Sequence, residues 1–311
     1  MAVLYNSGGG GVADAESWRA AFRKLDPEME LRVWPETGPV EEIEFVLAWR
    51  PEHGDLLRYP KLKAVFWLGA GVDWLVNEDR LPDVPFVRLV DPGLTAGMTE
   101  YVVLHTLRYH RRQPELDELQ RRREWVELDY PLPWRRRVGI LGLGVLGGDA
   151  ARKLKALDFD VAGWSRTPKS VEGVTSFHGD GQLDAFLARS EILVCLLPLT
   201  PQTRGIVDAK LLSALPRGAC FINAGRGAHV VDADLLAALD SGQIAHATLD
   251  VFNTEPLPPS HPYWTHPRVT VTPHIASITH AETAAPGIYD GMRRARAGLK
   301  LENVVDFERG Y

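Results

Sequence analysis

Three residues of this 311-residue chain could do polar chemistry together: Arg226, Glu255 and His274. A guanidinium grips oxyanions, an imidazole exchanges protons near neutral pH, and a carboxylate can orient the imidazole. Each stands just beyond a run that reads as a strand, and all lie downstream of a glycine-rich turn, Gly142-Leu143-Gly144-Val145-Leu146-Gly147. Open α/β sheets bind ligands outside the carboxyl ends of their strands. Four separate stretches aimed at one crevice predict a dehydrogenase site.

The turn has the context that phosphate binding requires. Residues 138–141 are a short apolar β run, and residues 147–154 open a helical pattern. Glycine permits the tight turn, the approach to a pyrophosphate and the packing of helix on strand, while N–H groups at the helix start attract phosphate. A second strand is expected at 159–164. Where an NAD fold carries Asp or Glu for the ribose 2′-hydroxyl, this chain has Ser165-Arg166-Thr167-Pro168-Lys169. A hydroxyl, a guanidinium and an ammonium suit a 2′-phosphate, so NADPH is favoured over NADH. Asp160, the nearest acid, sits at the entry end of that strand, away from the crevice.

Composition narrows the rest. Lys plus Arg number 35 against 41 Asp plus Glu, a net charge of −6, which leaves no basic footprint for nucleic acid. Arg121–Arg123 and Arg135–Arg137 read as solvated faces. No apolar run reaches membrane-spanning length and no leader pattern opens the chain, so a cytoplasmic, membrane-free protein is expected. The two cysteines, Cys195 and Cys220, lie in apolar runs and read as small buried hydrophobes of a reducing compartment. No metal site is expected.

The elements that must position the reactive residues follow from alternation. Ahead of the glycine turn, residues 2–6, 31–35, 44–49, 62–68 and 85–90 read as strands and 14–25 and 72–77 as helical, which predicts a second parallel sheet. Residues 8–11 read as a loop lacking a nucleotide-binding spacing. Residues 99–110 form a helix apolar on more than one face, hence buried, followed by a charged arm at 114–127 with Leu116, Leu119 and Trp125. Strands at 191–197, 219–223, 245–250 and 269–272 continue the nucleotide sheet, and a last helix at 280–301 has the length to return to the first domain. Chain crossings near 98 and 278 would make a hinge.

The blocks at 138–148, 196–203, 223–227, 249–252, 255–257 and 272–277 are similar to the D-isomer-specific 2-hydroxyacid dehydrogenases. Further blocks at 66–73, 164–167, 235–242 and 309–311 resemble the branch of that family acting on glyoxylate and hydroxypyruvate. The resemblance covers essentially the whole chain. It implies two doubly wound parallel-sheet α/β domains. A Rossmann domain binding NADP, 99–278, is inserted into a flavodoxin-like substrate domain, 1–98 plus 279–311. From the residues themselves, the charged arm with interspersed apolar side chains at about 101–127 is expected to build a homodimer.

It also implies roles. His274 would protonate the keto oxygen, Glu255 would orient it, and Arg226 would grip the substrate carboxylate. Trp49 and the backbone around Gly69, Ala70 and Gly71 would complete the keto-acid site. The cofactor would touch Gly142, Gly144, Val145, Leu146, Gly147, Ser165, Arg166, Thr167, Lys169, Leu197, Pro198, Thr203, Ala224, Gly225, Asp250, Ala276 and Ser277. Ala276 stands where many members carry Gly. Two other readings remain at this level: an NAD-dependent dehydrogenase of a larger acid, and a nucleotide sensor without catalysis. The first turns on pocket volume, and the second has no need of Arg, Glu and His together.

Overall fold

A computed structural model describes residues 2–8 and 14–310. The chain forms two compact units, Met1–Ala96 with Ile278–Tyr311, and Gly97–Ser277.

The smaller unit is a five-stranded parallel sheet of β1 (Ala2–Ser7), β2 (Glu30–Val33), β3 (Ile43–Trp49), β4 (Ala64–Trp67) and β5 (Phe86–Arg88), ordered β2-β1-β3-β4-β5. Flavodoxin-like sheets have this order. Helix α1 (Ala15–Leu25) starts where the Asp14 carboxylate accepts the Ser17 N–H, and it buries Trp18 and Phe22. The short α2 (Asp73–Val76) follows β4. The expected loop at 8–11 falls outside the described residues except for Gly8.

Helix α3 (Pro92–His110) begins seven residues before the sequence pattern suggested, because Pro92, Gly93 and Gly97 are weak helix formers that mask the i, i+4 spacing of Leu94, Met98 and Val102. The division between the units falls inside it. α4 (Gln113–Arg122) then forms the first half of the arm.

The larger unit follows with β6 (Arg137–Leu141), α5 (Val145–Ala156), β7 (Asp160–Ser165), β8 (Thr175–His178), α6 (Leu183–Arg189), β9 (Ile192–Cys195), α7 (Ala209–Ala214), β10 (Ala219–Asn223), α8 (Asp232–Asp240), β11 (Ile244–Leu249) and β12 (Val269–Val271). The seven strands are parallel in the order β12-β11-β10-β9-β6-β7-β8, a dinucleotide-fold order extended by one strand. β8 escapes sequence reading because Thr175-Ser176-Phe177-His178 is an edge strand with little buried surface. Helix α9 (Ala281–Arg296) closes the chain in the smaller unit, packed on α1.

Period-two alternation explains why the central strands of the larger sheet read as unbroken apolar runs. Val138, Ile140, Val161, Ile192, Val194 and Ile222 face a core shared with α3 and α5. Leu141, Trp164, Leu193, Cys195 and Phe221 face the opposite core with α6, α7 and α8. Burial pushes both cysteine thiols up to about 12, which leaves them inert as nucleophiles. Among the described residues no helix is long and apolar enough to cross a membrane.

Packing α3 across the sheet also buries His105, 5% exposed, with Nδ1 3.4 Å from Thr248 Oγ1. Lost hydration, then the nearby Arg108 charge, push its pKa from 6.5 down to about 4. The unfolded chain therefore takes up this proton more readily than the folded one. Its contribution to stability is complete above pH 6.5 and is lost as pH falls toward 4. Urea unfolding from pH 7 to 4.5 is expected to show a shallower loss of stability in His105→Leu than in the parent; parallel pH curves would contradict this.

Candidate active site

The three reactive residues follow three neighbouring strands. Arg226 comes after β10, Glu255 after β11 and His274 after β12. Parallel strands put all their carboxyl ends on one edge, so residues far apart in sequence meet there.

His274 Nδ1 lies 2.8 Å from Glu255 Oε2, and Glu255 Oε1 accepts the Phe252 N–H at 3.0 Å. A carboxylate so placed selects a proton on Nδ1 and leaves Nε2 for other partners. The two side chains are 35% and 25% exposed, open enough to meet a ligand. Arg226 Nη1 donates to the Gly225 carbonyl at 2.9 Å. Its loop lies against the Glu255 loop, because a Cβ on Gly227 would stand 1.9 Å from the Phe252 carbonyl carbon. Only glycine allows that approach.

His274 has φ +56°, a left-handed conformation that is costly outside glycine. Asp250, 1% exposed, holds it. Its Oδ1 accepts from Ile275 N (2.9 Å) and Thr272 Oγ1 (2.6 Å), its Oδ2 accepts from Ala276 N (2.8 Å), and its carbonyl accepts from His274 N (2.8 Å). Tyr101 Oη lies 2.7 Å from Thr272 Oγ1 and extends the network into α3. The Asp250 carboxylate is thus engaged by the chain's own loop. Asn223, fully buried, does similar work for Arg226: Nδ2 donates to the Arg226 carbonyl at 3.0 Å and Oδ1 accepts the Gly225 N–H at 3.2 Å. Sequence reading missed Asn223, Thr272 and Tyr101 as organisers. The available signal was a polar residue closing an otherwise apolar strand at 223.

The glycine turn lies at the switch point of the sheet, between β6 and β9. Gly142 has φ +104°, and a Cβ on Gly147 would fall 1.9 Å from the Gly142 carbonyl, so both positions require glycine. Gly144 is the N-cap of α5, and the space where its Cβ would point is open. Val145 and Leu146 begin the first helical turn, whose amides a helix leaves without intrahelical partners. Across the switch point stand buried Leu197 and exposed Pro198, with Thr203 Oγ1 donating to the Pro198 carbonyl at 2.7 Å. Ala224 and Gly225 are buried beyond β10; Ala276 is 4% exposed, and Ser277 closes the unit.

At the carboxyl end of β7, Ser165 is buried and its hydroxyl donates to the Thr167 carbonyl at 2.8 Å, while Arg166, Thr167 and Lys169 are exposed. Asp160 opens the same strand and pairs with Arg189 at 2.6 Å. An open helix start and a basic run at 165–169 that includes no acid fit a dinucleotide with a 2′-phosphate.

The remaining expected residues belong to the smaller unit. Trp49 closes β3, and its ring packs on Gly69 and lies 5.2 Å from the Trp67 ring. Ala70 and Gly71 follow in the loop after β4, where the Gly71 carbonyl accepts the Trp67 indole N–H at 2.9 Å.

Residues 103–276 match the family model of the D-isomer specific 2-hydroxyacid dehydrogenase, NAD binding domain. The chain is 46% identical over 304 residues to a glyoxylate/hydroxypyruvate reductase A of Serratia proteamaculans (strain 568), covering 96% of this chain and 97% of that one. Its structure is similar to a D-isomer specific 2-hydroxyacid dehydrogenase from Xanthobacter autotrophicus Py2 in complex with NADPH and MES, with TM-score 0.95, 47% identity and coverage of 100% and 99%. A Sinorhizobium meliloti NADPH-dependent glyoxylate/hydroxypyruvate reductase in complex with NADP and sulfate is similar at TM-score 0.92 and 40% identity, with the same coverage. The chain belongs to the D-isomer specific 2-hydroxyacid dehydrogenase family.

Asp250→Ala would leave the Ile275 and Ala276 amides without their acceptor and release His274 from its strained backbone. The expected loss is roughly 2–5 kcal/mol of stability, with turnover down about 100-fold. Thermal unfolding and steady-state kinetics check both, and a variant with the parent's melting temperature would show that the clamp does not matter.

Proposed function

We propose that the chain is an NADPH-dependent reductase of small 2-keto acids, glyoxylate and hydroxypyruvate among them. The observation that carries this is the hydrogen-bonded His274–Glu255 pair set on strand ends beside Arg226. The bound dinucleotide would supply a hydride to the carbonyl carbon.

This chain's residues supply the rest. Glu255 holds Nδ1, so protonated His274 donates from Nε2 to the keto oxygen as charge develops there. Arg226 pairs with the carboxylate and fixes which face of the carbonyl is presented. Gly142 to Gly147 receive the pyrophosphate, and Ser165, Arg166, Thr167 and Lys169 receive the 2′-phosphate. Leu197, Pro198, Thr203, Ala224, Gly225, Asp250, Ala276 and Ser277 line or shape the cofactor's course. In this reading Gly97–Ser277 is the nucleotide unit and the remainder the substrate unit, with a cytoplasmic location supported by the two free thiols.

Purified protein is expected to oxidise NADPH clearly faster than NADH with glyoxylate or hydroxypyruvate. His274→Ala should lose about 10²–10⁴-fold in turnover yet bind NADPH as before, because the proton is lost and the cofactor contacts are not. Near-parental turnover in that variant would assign the proton to another group, and equal use of the two cofactors would remove the 2′-phosphate reading.

A homodimer built on residues 101–127 belongs to the same proposal. The arm leaves large apolar side chains in solvent, Leu104 60%, Trp125 97% and Val126 49% exposed, which suits a symmetric contact. Light scattering at micromolar concentration should give twice the chain mass of 34.6 kDa, and a monomeric mass would reject the dimer.

A further inference from the structure

His229 is fully buried at the end of the short turn Gly227–His229 that follows Arg226. Its Nδ1 accepts the backbone N–H of Arg226 at 3.1 Å, and its Nε2 lies 3.3 Å from the carbonyl oxygen of Pro198. An amide N–H only donates and a carbonyl only accepts. The ring is therefore neutral, with its proton on Nε2.

The peptide group between Gly225 and Arg226 is held at both ends. Its N–H is taken by His229, and its carbonyl takes Nη1 of the Arg226 guanidinium at 2.9 Å. Rotation of that peptide plane would swing the point on which the guanidinium rests. The imidazole is itself anchored, since His229 N donates to the Arg226 carbonyl at 3.2 Å and the His229 carbonyl accepts from Val207 N at 2.8 Å. Through Pro198 the same ring reaches the loop after β9.

A buried aliphatic side chain would fill this space without the desolvation cost of a ring with two polar nitrogens, so the hydrogen bonds are what the imidazole adds. We infer that His229 is a positioning residue: it fixes the Gly225–Arg226 peptide and thereby aims the Arg226 guanidinium, locking the Arg226 loop to the Leu197–Pro198 loop. This rests on the reading of Arg226 as the partner of the substrate carboxylate.

Two polar replacements separate the ring's two bonds. His229→Asn keeps an acceptor where Nδ1 stood but does not reach Pro198, whereas His229→Gln reaches the Nε2 position and lacks the acceptor for Arg226. If aiming is the role, kcat/KM for glyoxylate should fall about 10- to 100-fold in His229→Gln, mostly through KM, and stay within a few-fold of the parent in His229→Asn. NADPH titration should change little in either. In an Arg226→Gln background, His229→Gln should add no further loss, because the residue acts through that guanidinium.

Equal impairment of the two variants, parental kinetics in His229→Gln, or the same fold-loss repeated in the Arg226→Gln background would each overturn the assignment. Arg226→Gln with an unchanged KM would instead overturn the underlying role of Arg226.

Discussion

One buried carboxylate constrains the reactive edge of the larger sheet. Asp250 sits at the exit of β11 with its oxygens committed to the amides of Ile275 and Ala276 and the hydroxyl of Thr272. Hydrogen bonds to an ionised group are worth about 1.5–3 kcal/mol each, more than the roughly 1–2 kcal/mol that a left-handed non-glycine residue costs. The balance favours the strained turn. His274 can therefore point its ring at Glu255 while its backbone runs in a direction that an unconstrained residue would avoid.

The other loops meet the same requirement by other means. Asn223 closes β10 and spends both ends of its amide on the Gly225–Arg226 backbone. Gly227 lets that backbone lie against Phe252, whose own N–H holds Glu255. Consecutive strands thus pass position from one loop to the next through short polar contacts. The three reactive side chains are exposed enough to meet a ligand, whereas Asp250 and Asn223, which hold their loops, are buried. That division lets a site be open and rigid at once.

Much of this was legible in the sequence, for identifiable reasons. Strand and helix periods located β6, β10 and α5 within a residue or two, because two-sided burial writes long apolar runs. The glycine turn and the Arg, Glu and His positions were legible because each follows such a run. The start of α3 was not, since Pro92, Gly93 and Gly97 hide the Leu94–Met98–Val102 spacing, and edge strand β8 buries too little to leave a pattern. The organising contacts of Asp250, Asn223 and His229 were invisible for a different reason. Apart from the Thr272 hydroxyl, each is a long-range or loop-internal hydrogen bond whose partner is a backbone atom, and backbone atoms have no sequence signature.

The proposed cofactor choice rests on which end of one strand carries which charge. Asp160 and Ser165 bound β7, five steps apart, a separation of roughly 16 Å at strand rise. That exceeds the screening length of about 8 Å at physiological salt. Asp160 is moreover paired with Arg189, so it contributes almost no field at the far end. The exit of β7 carries the Ser165 hydroxyl and the exposed side chains of Arg166 and Lys169, and residues 165–169 include no carboxylate to accept from a ribose 2′-hydroxyl. A doubly charged 2′-phosphate would be attracted there, and a bare ribose would find no acceptor among residues 165–169 other than hydroxyl and backbone oxygens. A preference for a phosphorylated dinucleotide would need no special pocket; it would follow from the placement of one acid at the entry of a strand and two bases beyond its exit.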